Sequence, residues 1–308
     1  MNRRLVGGLA LLAALVGLSA LGPLLYPYPP NYAENLRVVE EGGVKNVIFA
    51  PEAPGPRHLL GTDRYGYDMV TNLLRGLPWT LATVFGVALL RSSLAFVGGV
   101  GTALGRWKAG KPRSFSPLAA LPSFIIAYFV LYPLTINPAL APLLLLAIQV
   151  AVIALLELPA LARSFSSKGE TIASRAFVEA ARSCGAGETW IAFRHIAPLL
   201  VDDLIESIPR QAVAAAAFVA RLGIFSLFMG GTTLQYDPYP SATVLFSMSQ
   251  ELVGLMGHHY LAFPEHWWLF LGPFVGWLLV LLSAELCASG LRLWKDERER
   301  IIGSVEEG

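Results

Sequence analysis

Chemistry would need nucleophiles, bases, metal ligands or a phosphate cradle at workable spacings, and two stretches come near. Gly105, Gly110 and Lys111 fall at the Gly-x4-Gly-Lys spacing of a phosphate-binding loop. Pro112 replaces the Ser or Thr whose hydroxyl would ligate magnesium, and the stretch lies between two apolar runs instead of linking a strand to a helix. It therefore reads as a basic loop. His258, His259 and His266 lack both the helical spacing and the Cys or acidic companions of a metal site, and read as part of a wet loop. A Gly-x-Ser-x-Gly elbow and a His-Glu-x-x-His helix are both missing from the sequence. The expectation is a chain without catalysis, cofactor or metal of its own.

Two cations are harder to dismiss. Arg91 and Arg221 both fall inside long apolar runs, where each costs about 3 kcal/mol near mid-membrane unless it meets a partner or water. One reading pairs or snorkels them, with Glu157, Glu206 or Glu285 as counter-ions; the other puts them on a translocation pathway. Counted from the expected span ends, they differ in depth by about 9 Å.

The elements that must hold these residues are membrane spans. Of 308 residues 55% are hydrophobic and only 15% charged, against about 25% charged in a soluble domain. A net charge of +1 gives no electrostatic footprint for nucleic acid. The spacing predicts an all-α, polytopic membrane protein with about six spans. The first covers residues 1–25, retained because its apolar run exceeds a signal-peptide core. The others start near Leu77, Phe115, Ala139, Leu204 and Trp267 and end near Gly105, Leu134, Leu158, Met229 and Leu291. Residues 26–76 read as an exposed, mostly irregular segment, residues 77–291 as the membrane core, and residues 292–308 as a charged soluble tail. Cys184 and Cys287 read as free thiols.

Lysine and arginine set the orientation. The N-terminus, the Arg106–Arg113 loop, the polar passage at about 160–200 and the tail are basic, whereas residues 133–138 and 230–266 contain neither residue type. Both termini and the polar passage are thus expected in the cytoplasm, with residues 26–76 outside, despite their five basic residues.

The polar passage, FVEAARSCGAGETWIAFRHIAP over Phe177–Pro198, reads as a docking surface. Helix formers begin near Thr171, Gly185 is placed to end that helix, a second helix begins near Glu188, and Pro198 limits it. Glu179, Ala180 and Ala181, then Gly185, then Pro198 thirteen residues on, resemble the EAA loop of ABC importer permeases. The surrounding residues are similar to the dipeptide and oligopeptide branch. Leu60–Asp63, Gly66 and Asp68 resemble that family's Leu-Gly-Thr-Asp stretch before its second span. Arg221 stands where the family has an acidic residue, and Ile224–Gly230 and Ala288–Arg292 also depart from its pattern, which leaves the cargo open between peptides, nickel complexes and other solutes.

The resemblance implies a type I permease fold and a translocation subunit of an ATP-driven importer in the cell membrane. It implies a second permease chain, two ATPase subunits holding the ATP and magnesium, and an extracellular solute-binding protein as partners. Glu179, Ala180, Ala181 and Gly185 would be the coupling residues. A stand-alone secondary transporter or channel for an anionic solute, using Arg91 and Arg221, is the alternative that the residues alone leave open.

Overall fold

The computed structural model describes residues 2–29, 32–41, 44–105, 121–237 and 242–306. Nine α-helices and two β-hairpins are found among them, with α2 at the centre. α1 (Arg3–Leu25) starts where the Asn2 side chain accepts from the Arg4 amide at 3.2 Å. The strands β1 (Leu36–Glu41) and β2 (Val44–Phe49) then form an antiparallel hairpin. α2 (Met69–Ala103) follows, capped by Asp68, which accepts from the Thr71 amide at 2.9 Å. That cap starts the helix eight residues earlier than its apolar run, at Met69 instead of Leu77. Residues 26–76 accordingly contain ordered strands and a helix start.

The third expected span is represented by α3 (Ser123–Thr135), its predicted start at Phe115 and the Arg106–Arg113 loop lying outside the described residues. α4 (Pro142–Ala173) continues fifteen residues past the expected end at Leu158. Charge beyond Pro159 signals a change of surroundings, and a single missing amide does not stop the helix. After a break at Ser174 and Arg175 come α5 (Ala176–Ser183) and α6 (Glu188–Ile191), the latter starting where expected. A π-turn, Ala192–Ile196, carries the helical path into α7 (Ala197–Ile224), so Pro198 sits in a first turn, where no amide is required, and does not end the helix.

Beyond α7 the expected loop of residues 230–266 is packed structure. β3 (Thr232–Asp237) and β4 (Ala242–Ser247) form a second hairpin, followed by α8 (Leu252–His259) and a 3₁₀ turn, Tyr260–Ala262. α9 (Trp267–Glu306) then runs straight through the boundary drawn at residue 292, so that the tail is helical. His258 and His259 are correspondingly not wet: His259 is buried, and the His258 ring lies 4.8 Å from Phe246 and 4.6 Å from His259.

Among the described residues, four helices are long and apolar enough to cross a membrane: Arg3–Gly22, Met69–Ala103, Pro142–Ala173 and Trp267–Arg298. The two remaining counterparts of the expected six are α3, with 13 residues, and α7, with 28 residues that include Asp202, Asp203, Glu206, Arg210 and Arg221. Val84, Val87 and Ala88 of α2 meet Ile153 and Ala154 of α4, Ala212, Ala215, Ala216 and Val219 of α7, and Val280 and Ala284 of α9. Small side chains on α7, Ala212, Ala215 and Ala216 among them, let it lie close. α1 packs antiparallel on α9, with Leu5 against Gly290 and Gly8 against Cys287.

Candidate coupling loop and charge network

The polar passage folds as two short helices joined by a tight turn at one end of the bundle. Glu179, Ala180 and Ala181 lie on α5, whose underside is held by Val178, buried with Phe165 and Ile172 of α4 and with Ile191, Ile196 and Leu200 beyond the turn. Glu179 and Ala180 are exposed, and Ala181 is half-buried against the same cluster. α5 ends in a Schellman arrangement: the Gly185 amide donates to the Arg182 carbonyl at 2.9 Å and the Ala186 amide to the Ala181 carbonyl at 3.1 Å. Gly185 has φ +84°, the left-handed region that a side chain disfavours, and a Cβ placed there would meet nothing within 4 Å. The turn needs the glycine for its backbone, and its outer side is open.

Two further contacts stiffen this unit. Arg182 and Glu188 face each other across the turn at 2.8 and 3.2 Å, an exposed pair contributing about 1 kcal/mol or less. Beneath it, α4 meets α2 backbone to backbone: a Cβ on Gly169 would overlap the Gly99 carbonyl, and one on Gly99 would stand 2.8 Å from the Phe165 carbonyl. Side chains at these two positions would push the helices apart and carry α5 with them.

The two arginines are not equivalent. Arg91 is 1% exposed, and its two terminal nitrogens meet Glu157 of α4 at 2.9 Å, the Gln211 side chain of α7 at 2.8 Å and the Ile153 carbonyl at 3.0 Å, while its Nε has no hydrogen-bond partner. Ser123 of α3 donates to the other oxygen of Glu157 at 3.1 Å, so four helices meet at one charge. Pairing with Glu157, the bland reading of Arg91, is what the geometry shows. Arg221 is exposed, in the last turn of α7. Since Arg91 is level with Gln211, ten residues before Arg221 on one helix, about 15 Å of rise separates the two arginines instead of about 9 Å.

Residues 113–249 match the family of binding-protein-dependent transport system inner membrane components. Similar proteins include a peptide transport system permease protein of Brucella suis, 29% identical over 302 residues that make up 96% of this chain and 88% of the relative. The oligopeptide transport system permease protein OppC of Mycobacterium bovis is 29% identical over 299 residues, 94% of this chain and 89% of its own. A peptide permease protein of Brucella abortus is 28% identical over 308 residues, 97% and 89% of the two chains. Over nearly its whole length the chain is similar to permeases of this kind.

The long apolar helices among its described residues are those of a multi-pass membrane protein. Around its turn the sequence reading passed over three aromatics. Phe177, Trp190 and Phe193 are 42%, 53% and 76% exposed, and the His195 ring sits 5.7 Å from Phe177 and 5.1 Å from Trp190. Their signal was available as bulky apolar residues in a polar helical stretch. The Leu60–Asp68 stretch proves to be a corner piece. Asp63 accepts from the Tyr65 and Tyr67 amides at 2.9 Å and from Asn72 at 3.2 Å, while Asp68 caps α2 and meets His58 at 2.9 Å. Burial raises the carboxyls of Asp63 and Glu251 to about 7.

Proposed function

We propose that the permease is the translocation subunit of an ATP-driven importer for peptides or a chemically related small solute, and that the turn carrying Glu179, Ala180, Ala181 and Gly185 is where ATPase motion enters it. The observation that carries this reading is an outward-facing turn, open at Gly185, standing on helices that continue without a loop into the core. The cargo class follows the names of the relatives. In this reading a second permease pairs with the chain, two ATPase subunits holding ATP and magnesium dock on the turn, and an extracellular binding protein delivers the solute. Basic residues on the docking side, among them Arg163, Lys168, Arg175, Arg182, Arg194, Lys295 and Arg298, support a cytoplasmic turn with both termini on the same side and residues 26–76 outside.

Pressure on the turn moves α5 and α6 as one piece, because Val178, Ile191 and Ile196 share a buried cluster. α4 and α7 pass the displacement to the layer around Arg91, as alternating access requires. Arg221, exposed in the last turn of α7, is the charge placed on the solute pathway, and Arg91 acts from behind it by fixing helix positions.

Uptake by the complete transporter in proteoliposomes, with the binding protein and ATP, tests both assignments. Gly185→Val should leave membrane insertion intact and abolish uptake. Arg221→Gln should lower uptake severalfold with the assembled complex still recovered. Normal uptake in the Gly185 variant would remove the coupling role. ATP-independent transport by the chain alone would favour the stand-alone transporter.

A further inference from the structure

At the end of the bundle opposite the docking turn, residues 226–237 and 242–259 form a cap. α8 is buried through Leu252, Val253 and Leu255, a Cβ on Gly76 of α2 would overlap the Gln250 carbonyl, and one on Gly223 of α7 would overlap Val253. The cap is pressed onto both helices. The Leu252 amide of α8 donates to Thr80 of α2 at 3.0 Å, and the turn that leads into the cap is fastened by a small set of polar contacts centred on Gln149 of α4, which is fully buried. The Gln149 amide nitrogen donates to Thr135 of α3 at 3.0 Å and to the Phe228 carbonyl at 3.3 Å, and its oxygen accepts from the Gly230 amide at 2.8 Å. Thr232 receives the Phe228 amide at 3.1 Å. The Asn137 amide donates to the Thr232 carbonyl at 2.8 Å, and its side-chain oxygen accepts from the Leu234 amide at 3.0 Å.

A second observation is independent of these bonds. Among the described residues, three non-glycine positions have left-handed backbone, Asn137 at φ +46°, Ser226 at +55° and Gln250 at +54°. All three belong to this cap or its fastening. Ser226 is where α7 hands over to the cap, Gln250 is where the hairpin hands over to α8, and Asn137 joins α3 to α4. Backbone of this kind is unfavourable for Ser and Gln and persists only where surrounding contacts impose it, a pattern concentrated in clamps and switch segments. Release of a few hydrogen bonds would let both junctions relax, whereas the helices themselves have no such stored preference.

We infer that Gln149 is a positioning residue that clamps residues 226–237 and 242–259 shut across the ends of α2 and α7, and that this cap opens during transport. The second half rests on the transport reading above. Gln149 touches no solute; it acts through the turn at Phe228–Gly230.

Thiol accessibility tests the inference. Val253→Cys places a reporter under the cap without removing a clamp bond, in a Cys184→Ser background that retains the buried native Cys287 as a reporter of global unfolding. In the assembled transporter at rest, adding Gln149→Met, which keeps side-chain volume and loses the three bonds, should speed maleimide labelling of position 253 at least about tenfold while Cys287 stays protected. Asn137→Ala should act in the same direction and more weakly. With Gln149 intact, labelling of position 253 should rise during ATP-driven uptake relative to rest. Unchanged labelling in both clamp variants, or Cys287 labelling in parallel with position 253, would overturn the clamp. Uptake without added labelling would overturn the opening but leave the transport reading standing. Failure of ATP-driven uptake in the unsubstituted transporter would instead overturn the transport reading, and the opening with it, while the resting comparison still decides the clamp.

Discussion

Arg91 shows how a single charge inside a span is made tolerable. A guanidinium presents a planar set of donors, and here they go to a carboxylate, an amide oxygen and a main-chain carbonyl on neighbouring helices. Losing one member of such a pair strands the other in a poorly solvated place. Either Arg91→Met or Glu157→Met should destabilise the permease by roughly 3 kcal/mol, somewhat less than for a fully enclosed pair because the Glu157 side chain is 28% exposed. The double Met variant should recover most of that loss. Thermal unfolding of the purified permease in detergent measures all three; additive losses would mean that the two residues are not coupled. Glu157 was one of three candidate partners on composition alone, since residue type and apolar context announce that an arginine needs a counter-ion. Which one requires the helix crossing, and so does the exposure of Arg221.

At the scale of elements, the α2–α4 crossing sets where the turn between α5 and α6 stands. Gly169→Val would force the α4 backbone away from the Gly99 carbonyl, and the shift would travel seven residues on to α5. Uptake should fall more than tenfold, with the docking residues themselves unaltered; ATPase copurification and uptake, measured together, separate displacement from simple loss of protein. Normal uptake would mean that this contact is slack. Apolar runs and residue types at helix starts made most of this layer legible: α1, α6 and α9 begin within two residues of their expected starts. Helix ends were less readable. Pro78, Pro159, Pro209 and Pro273 all lie inside helices, because packed neighbours and the preceding carbonyls accommodate them, and only contacts reveal that. The β1–β2 hairpin was signalled by Gly42-Gly43 between two short apolar runs, which a search for long spans passes over. The clamp at Gln149 joins positions about 80 residues apart, and no local pattern points to it.

For the whole molecule, the buried carboxyls of Asp63 and Glu251, outside the spans, predict a pH response. Asp63 and Glu251 titrate near 7 when folded and near 4 when unfolded, so between those values the folded chain holds more protons than the unfolded one. Stability therefore falls as pH rises from about 4 through 7. The permease in detergent should melt several degrees lower at pH 7.5 than at pH 5.5, and Asp63→Asn should narrow that gap; an unchanged gap would show that Asp63 is charged at both values.

α9 has 40 residues, which at 1.5 Å per residue is about 60 Å, twice the roughly 30 Å of a bilayer's hydrocarbon layer. Its far half is braced to α7 through Lys295, which meets Asp203 at 2.7 Å and Glu206 at 3.2 Å, and through Arg298, which meets Asp202 at 3.2 Å. α4, at 32 residues, is tied to the same Asp203 through Lys168. The platform that carries the turn between α5 and α6 is thus held at a height set by helix length and braced like scaffolding, and loops that lengthen or shorten elsewhere in the chain leave that height unchanged.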